Sequence, residues 1–144
     1  MTTLTLIKGF QNPTHDSQVV FRQLLKAMSE PGTLVTVTSP ESIGGLNAST
    51  FAICQALMDQ QTPLWLSPRF NTPKIKHNLH FHTGVPVVEA SQQALFALMS
   101  PEELNSAKSF SQDSYQGANG FFQGTSEYPE TGCTVIVQVN HMKD

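Results

Sequence analysis

The chain has 144 residues, of which 39% are hydrophobic and 13% charged, with a net charge of −3 at neutral pH. This length suits one domain with a real core, and the slight acidic excess argues against nucleic-acid binding, which favours a basic surface. No apolar run approaches the roughly 20 residues of a membrane-spanning helix and the N-terminus lacks a signal-peptide pattern, so we expect a cytoplasmic protein without membrane contact.

The first predicted element is a helix with apolar residues spaced three to four positions apart. They are Val20, Phe21, Leu24, Leu25 and Met28. This stripe should bury one face of the helix. The helix should end at residues 30–32, because Pro31 restricts the residue before it and Gly32 permits a turn. Arg22 and Lys26 are four residues apart and share one side of the helix, either as solvated cations or as a contact for an anion or an acidic partner.

The remaining elements are predicted from β-branched runs, turn residues and helix caps. In chain order they are a strand at 33–38, a loop at 39–47, a helix capped by Asn47 or Ser49 that runs to about residue 59, a strand at 63–67, a loop at 68–73, a helix beginning at Pro73, strands at 86–89 and 94–99, a helix beginning at Ser100, a polar loop at 111–129 and a buried strand at 133–139. The segment 94–99 also suits a helix, whereas Ser100 and Glu103 have the spacing of a capping box. This order predicts an α/β fold with a mixed β-sheet, as a single domain over residues 1–144.

Histidines at positions 77, 80 and 82 form the closest set of possible metal ligands. On a strand, His80 and His82 would share a face, with Glu89 as the nearest carboxylate. No third ligand at metal-site spacing is evident, so we expect no metal. The preferred interpretation is a hydrogen-bonded His82 beside the turn at Thr83-Gly84, with the other two histidines exposed.

Motifs for nucleophilic catalysis and for phosphate binding are absent: there is no GxSxG elbow and no GxxxxGK[ST] loop. Cys54 and Cys133 form no CxxC pair and are expected to be reduced and to pack as small hydrophobic side chains. The residues left as a possible anion- or partner-binding set are Arg22, Lys26, Arg69, His82 and Thr83. Catalytic residues are not identified by any pattern.

Four segments together carry a family resemblance: residues 21–32 (FRQLLKAMSEPG), 62–67 (TPLWLS), 79–88 (LHFHTGVPVV) and 129–139 (PETGCTVIVQV). The chain is similar to the PhnH family, whose members are subunits of the bacterial carbon–phosphorus lyase system. The resemblance implies a mixed β-sheet flanked by helices, an architecture like that of the pyridoxal-phosphate transferases but without a pyridoxal-phosphate site. We therefore expect no cofactor, and no lysine lies in a setting suited to a Schiff base.

The resemblance also implies a function in organic phosphonate breakdown. The expected role is an accessory or structural subunit that acts with the other core subunits when a phosphonate displaces the purine of ATP, giving ribose 1-phosphonate 5-triphosphate. A homodimer is implied as well. Family members continue beyond the strand similar to 133–139, so we expect a chain shortened at its C-terminus. The alternatives are an autonomous small enzyme with a metal- or histidine-based site and a non-functional fragment.

Overall fold

The structure is a computed structural model that describes residues 5–106 and 121–140. Their contacts define two compact units, a helical unit (residues 5–59 and 72–84) and a sheet unit (residues 60–71, 85–106 and 121–140). Within these described ranges, no helix is both long and apolar enough to cross a membrane. The single domain over residues 1–144 stays a prediction.

Helix α1, Pro13–Ser29, is the longest element of the helical unit. Asn12 caps it by accepting a hydrogen bond from the backbone N–H of His15, and proline occupies the first turn, where no donor is needed. The helix ends at the predicted place: Glu30 leaves helical geometry and Gly32 has a φ of 91°, a value that favours glycine.

Helices α2, Ala48–Leu57, and α3, Pro73–Thr83, complete the helical unit, and α2 packs against both α1 and α3. Asn47 caps α2 and Thr72 caps α3, each through a side-chain oxygen that accepts the backbone N–H three residues later. Both predicted starts are therefore confirmed. The core residues of this unit are Val20, Ile43, Leu46, Phe51, Ala52, Cys54, Met58, Ile75 and Leu79.

One prediction in the helical unit is wrong, and one conditional arrangement of two histidines does not occur. Residues 33–38 form no strand ladder with any described residue, because no neighbouring strand lies beside them. The segment containing His80 and His82 is helical, since α3 continues to Thr83 and ends at Gly84, which has a φ of 75°. Residues two apart on a helix differ by about 200° in direction, so these histidines do not share a face.

The sheet unit contains three parallel strands in the order β1, Leu64–Leu66; β2, Phe96–Met99; and β3, Thr134–Val137. The α/β class is confirmed, whereas the predicted mixed sheet is wrong for the described strands, whose pairs are both parallel. The predicted strand at 86–89 contributes only one parallel bridge, from Val87 to Leu64.

Strand β3 is the last in the order of the described strands, and only half of it is covered. The predicted strand is present, but Thr134 and Val135 are exposed and Ile136 and Val137 are half-buried, so the prediction that it is buried is wrong. One face of the sheet packs Trp65 edge-to-face against Phe121, with ring centroids 5.2 Å apart.

Helix α4, Pro101–Ser106, follows β2 directly and begins with the predicted capping box. The Ser100 backbone N–H and hydroxyl both donate to a Glu103 carboxylate oxygen, at 3.2 and 2.8 Å. The first part of the predicted loop at 111–129, up to residue 120, lies outside the described residues.

Candidate functional site

Helix α1 presents both cations that the sequence singled out. Arg22 is exposed, and Lys26 forms an ion pair with Glu30 at 3.2 Å in which both side chains are more than half exposed. An exposed pair of this kind contributes little stability because water screens it. Arg22 and Lys26 lie one turn apart, as predicted, and their role toward an anion or a partner stays a prediction.

The same helix carries an exposed apolar face. Phe21, Leu25 and Met28 are 44%, 52% and 74% exposed, whereas Val20 is 5% exposed. The prediction that the whole apolar stripe of α1 is buried is therefore wrong. The three exposed residues recur at positions i, i+4 and i+7 and so lie on one side of the helix, which we call the α1 apolar face. At about 100° per residue, Arg22 borders this face.

A groove of about 410 Å³ lies elsewhere on the helical unit, and sequence reasoning did not find it. It is lined by Phe10, by Asp16, Val19, Val20 and Gln23 of α1, and by residues 36–40. The lining is mainly apolar, and Asp16 is its one charged side chain. Such a groove accepts apolar groups more readily than anions.

His82 and Thr83 are both engaged in hydrogen bonds within the helical unit. His82 Nε2 lies 2.6 Å from the carbonyl oxygen of Ile7, and because a carbonyl only accepts, Nε2 carries the proton. The ring also makes edge-to-face contacts with Phe51 and Phe81, at centroid distances of 5.4 and 5.1 Å. The Thr83 hydroxyl donates to the carbonyl oxygen of Leu79 at 2.6 Å. The expected hydrogen-bonded His82 is confirmed, and the role of either residue toward an anion stays a prediction.

Polar side chains of α2 and α3 hold the N-terminal segment, residues 5–10. The buried Asn78 accepts from the Ile7 backbone N–H at 2.6 Å and donates to the Thr5 carbonyl at 3.1 Å. Gln55 accepts from the Phe10 backbone N–H at 2.9 Å and donates to the Ser39 hydroxyl at 2.9 Å. These bonds satisfy the backbone of a segment that has no strand partner in the described chain.

Gly9 lies where the N-terminal segment passes closest to the side chains of Gln55 and His82. A Cβ atom built there would be 2.7 Å from Gln55 Oε1 and 2.7 Å from His82 Nδ1. Sequence reasoning missed Asn78 and Gln55. For Asn78, the available signal was the spacing of Ile75, Asn78, Leu79 and His82, which places two polar side chains on the core-facing side of a helix.

Arg69 belongs to the sheet unit. Its guanidinium lies 4.0 Å from a Glu102 carboxylate oxygen and 5.5 Å from the centroid of the Phe70 ring. Hydrogen bonding to its own backbone N–H, then interaction with the Ser100 side chain, and then the charge of Arg69 lower the pKa of Glu102. Arg69 thus has a carboxylate neighbour at the surface.

The possible metal ligands and nucleophiles show no assembled site. Among residues 5–106 and 121–140, no three His, Cys, Asp or Glu side chains are placed to hold a metal ion. Burial raises the pKa of the Cys54 thiol to about 12 and that of Cys133 to about 11, so neither forms a thiolate readily at neutral pH. The expectation that Cys54 packs as a small hydrophobic side chain is confirmed.

Comparison with known proteins identifies the family. A family model described as bacterial phosphonate metabolism protein (PhnH) matches residues 8–144. A curated relative, the alpha-D-ribose 1-methylphosphonate 5-triphosphate synthase subunit PhnH of Rhizobium meliloti (strain 1021), is 30% identical over 138 residues, which cover 94% of this chain. The chain spans 63% of the length of that relative. The chain therefore belongs to the PhnH family of bacterial phosphonate metabolism proteins.

Proposed function

We propose that the chain is an accessory subunit of an assembly that makes ribose 1-phosphonate 5-triphosphate from ATP and a phosphonate. Its partners in this proposal are the other core subunits of the carbon–phosphorus lyase system. Membership of the PhnH family and the name of the Rhizobium relative, a synthase subunit, support the role. The finer features proposed with it are a homodimer, a cytoplasmic location, a single domain and an architecture like that of the pyridoxal-phosphate transferases without their cofactor.

The observation that carries the subunit role is the α1 apolar face. Phe21, Leu25 and Met28 together leave the equivalent of nearly two large apolar side chains in water. Covering them with a partner would contribute about 3–5 kcal/mol by transfer of apolar surface alone. An apolar centre with an arginine at its border is also the usual composition of a protein–protein interface.

The cations complete this proposed surface. Arg22 is exposed beside the α1 apolar face and is proposed to contact an acidic group of the partner, or an anion, at the rim. Lys26 forms an ion pair with Glu30 and should contribute less to binding of the partner. Arg69, His82 and Thr83 are kept in the proposed set with lower weight, since Glu102, Ile7 and Leu79 already engage them.

Co-expression with the other core subunits, followed by affinity capture and size-exclusion chromatography, tests the role. The wild-type chain should be recovered in a stable complex, and the double variant Leu25→Glu, Met28→Glu should be lost from it. Leu95→Glu, at an exposed leucine of the sheet unit, is the matched control and should be retained. Failure of the wild-type chain to join the complex would refute the proposal.

The double variant Arg22→Ala, Lys26→Ala tests the rim. We expect weaker capture with a reduced dependence on salt, because rim charges act mainly through screened attraction. If capture and growth on a phosphonate are both unchanged, these cations are only solvated.

A further inference from the structure

The backbone of residues 34–38 has unused hydrogen-bonding capacity. In the part of the chain that the structure describes, none of their backbone N–H or C=O groups hydrogen bonds to another protein group. The neighbouring Thr33 N–H, by contrast, donates to the carbonyl of Glu30. Water satisfies such groups at a surface, and a row of them is a template for pairing with another strand.

The side chains of this segment have the pattern of a strand. Leu34, Thr36 and Thr38 are exposed, while Val35 and Val37 are half-buried, so exposure alternates with a period of two. The β-branched residues at four of the five positions suit a pleated, half-buried surface. The segment therefore has the chemistry of an edge strand without a described neighbour.

The groove of about 410 Å³ lies directly beside the C-terminal part of this segment. Its apolar lining, which includes Phe10, Val19 and Val37, is suited to receive side chains of an added strand. When an extended peptide is added to an exposed strand edge, main-chain hydrogen bonds supply the affinity and a neighbouring pocket supplies the specificity.

Charge distinguishes between the possible occupants. Asp16 lines the groove and Glu41 follows the segment, and neither forms an ion pair within the described residues. Both carboxylates lie near the C-terminal end of residues 34–38. Opposite charges attract across an interface, so an added strand with a basic residue at that end is the better match.

We propose that residues 34–38 are a strand-docking site, which binds an extended segment of another polypeptide that is apolar in the middle and basic at the end that lies beside Asp16 and Glu41. The bound segment pairs through its backbone with residues 34–38 and places an apolar side chain in the groove. This inference goes beyond the subunit role and does not require that the partner be a phosphonate enzyme.

The direct test uses a synthetic strand probe, acetyl-Lys-Val-Thr-Val-Thr-Val-Lys-amide, with the full chain. We expect the probe to slow amide hydrogen exchange at 34–38 by about tenfold or more, with no comparable change in α2 or α3. The same peptide with glutamate at both ends should bind more weakly, and the difference should shrink at high salt.

Proline substitutions distinguish backbone pairing with residues 34–38 from nonspecific binding of the probe. Successive residues of a strand direct their backbone N–H groups to opposite edges, and a bound strand uses only one edge. Val35→Pro and Val37→Pro should therefore have the same effect on probe binding, and Thr36→Pro the other: one set weakens binding and the other leaves it unchanged. Because these N–H groups have no protein partner in the described chain, the melting temperature of each free variant should stay close to that of the wild type.

Three results would overturn the proposal. The first is no binding of the basic probe at up to about 1 mM. The second is probe binding that leaves amide exchange at 34–38 unchanged, or that all three proline substitutions weaken equally. The third is protection of 34–38 in the chain alone together with a two-chain mass by light scattering, which would make a second copy the occupant.

Discussion

Replacing Asn78 by alanine should release the N-terminal segment from α3. The Asn78 side chain is fully buried and makes three hydrogen bonds, to the Ile7 N–H, the Thr5 carbonyl and the Lys74 carbonyl. Two of the three bonds join residues more than 70 positions apart. The substitution therefore removes tertiary contacts and leaves the helix itself with a better helix former.

The loss of unfolding free energy in Asn78→Ala follows from these hydrogen bonds. Each hydrogen bond contributes about 1 kcal/mol net, which gives about 3 kcal/mol for the set. Thr5 is exposed, so water can replace the bond to its carbonyl, and the expected loss falls to about 2–3 kcal/mol of unfolding free energy. The Ile7 amide should also exchange with solvent much faster.

Urea unfolding followed by far-UV circular dichroism measures the loss, because the signal comes mainly from the helices. Hydrogen exchange at Ile7 reports the local release. Asn71→Ala, at an exposed asparagine, is the control and should change stability by less than about 0.5 kcal/mol. If Asn78→Ala behaves like this control, or if Ile7 exchange is unchanged, Asn78 does not hold the segment.

Three further predictions concern packing, charge and pH. Gly9→Ala should cost about 1–3 kcal/mol, because the new Cβ meets two anchored side chains, whereas Gly45→Ala, which has open space, should cost clearly less in the same urea assay. Lys26→Ala should change the unfolding free energy by less than about 0.5 kcal/mol, and a larger loss would show that its exposed pair with Glu30 is more than a surface contact. Burial raises the pKa of Cys54 from 9.0 to about 12, so the unfolded thiol ionises first, and stability present below pH 9 should fall as the pH rises toward 12. Urea midpoints at increasing pH should fall more steeply for the wild type than for Cys54→Ala, and equal slopes would contradict this reasoning.

Local signals in the sequence predicted the helix boundaries well. The starts of α2 and α4 depend on side chains within one turn of the cap, Asn47 and the Ser100–Glu103 pair, so neighbouring residues suffice to define them. The end of α1 at Pro31 and Gly32 is equally local. Short-range chemistry of this kind does not depend on what packs against the helix.

Predictions that depended on distant neighbours fared worse. The apolar stripe of α1 predicts that a face will be covered, but no local pattern shows whether this chain or a partner covers it. Residues 33–38 have strand composition, yet a ladder needs a second strand, which the described chain does not supply. The direction of β1, β2 and β3 likewise depends on their connections.

The candidate site was predicted only in part. The two cations of α1 share one side of the helix as expected, and His82 is hydrogen-bonded as expected. The shared face of His80 and His82 was assigned on the assumption of a strand, and the longer α3 removed it. Asn78 was not noticed because a polar residue on a helix is usually solvated, and burial is visible only once the partners are placed.

The attachment of residues 5–10 to α3 also determines the order of events during synthesis. Ile7 leaves the ribosome before its partners Asn78 and His82, which follow it by 71 and 75 positions, have been made. At about 5–20 residues per second, that gap amounts to about 4–15 s. During this interval the segment, with Leu6 and Ile7, is open to chaperones and proteases, and it becomes ordered only after α3 has formed. Residues 5–10 are therefore synthesised well before α3 but reach their native contacts only once α3 is in place.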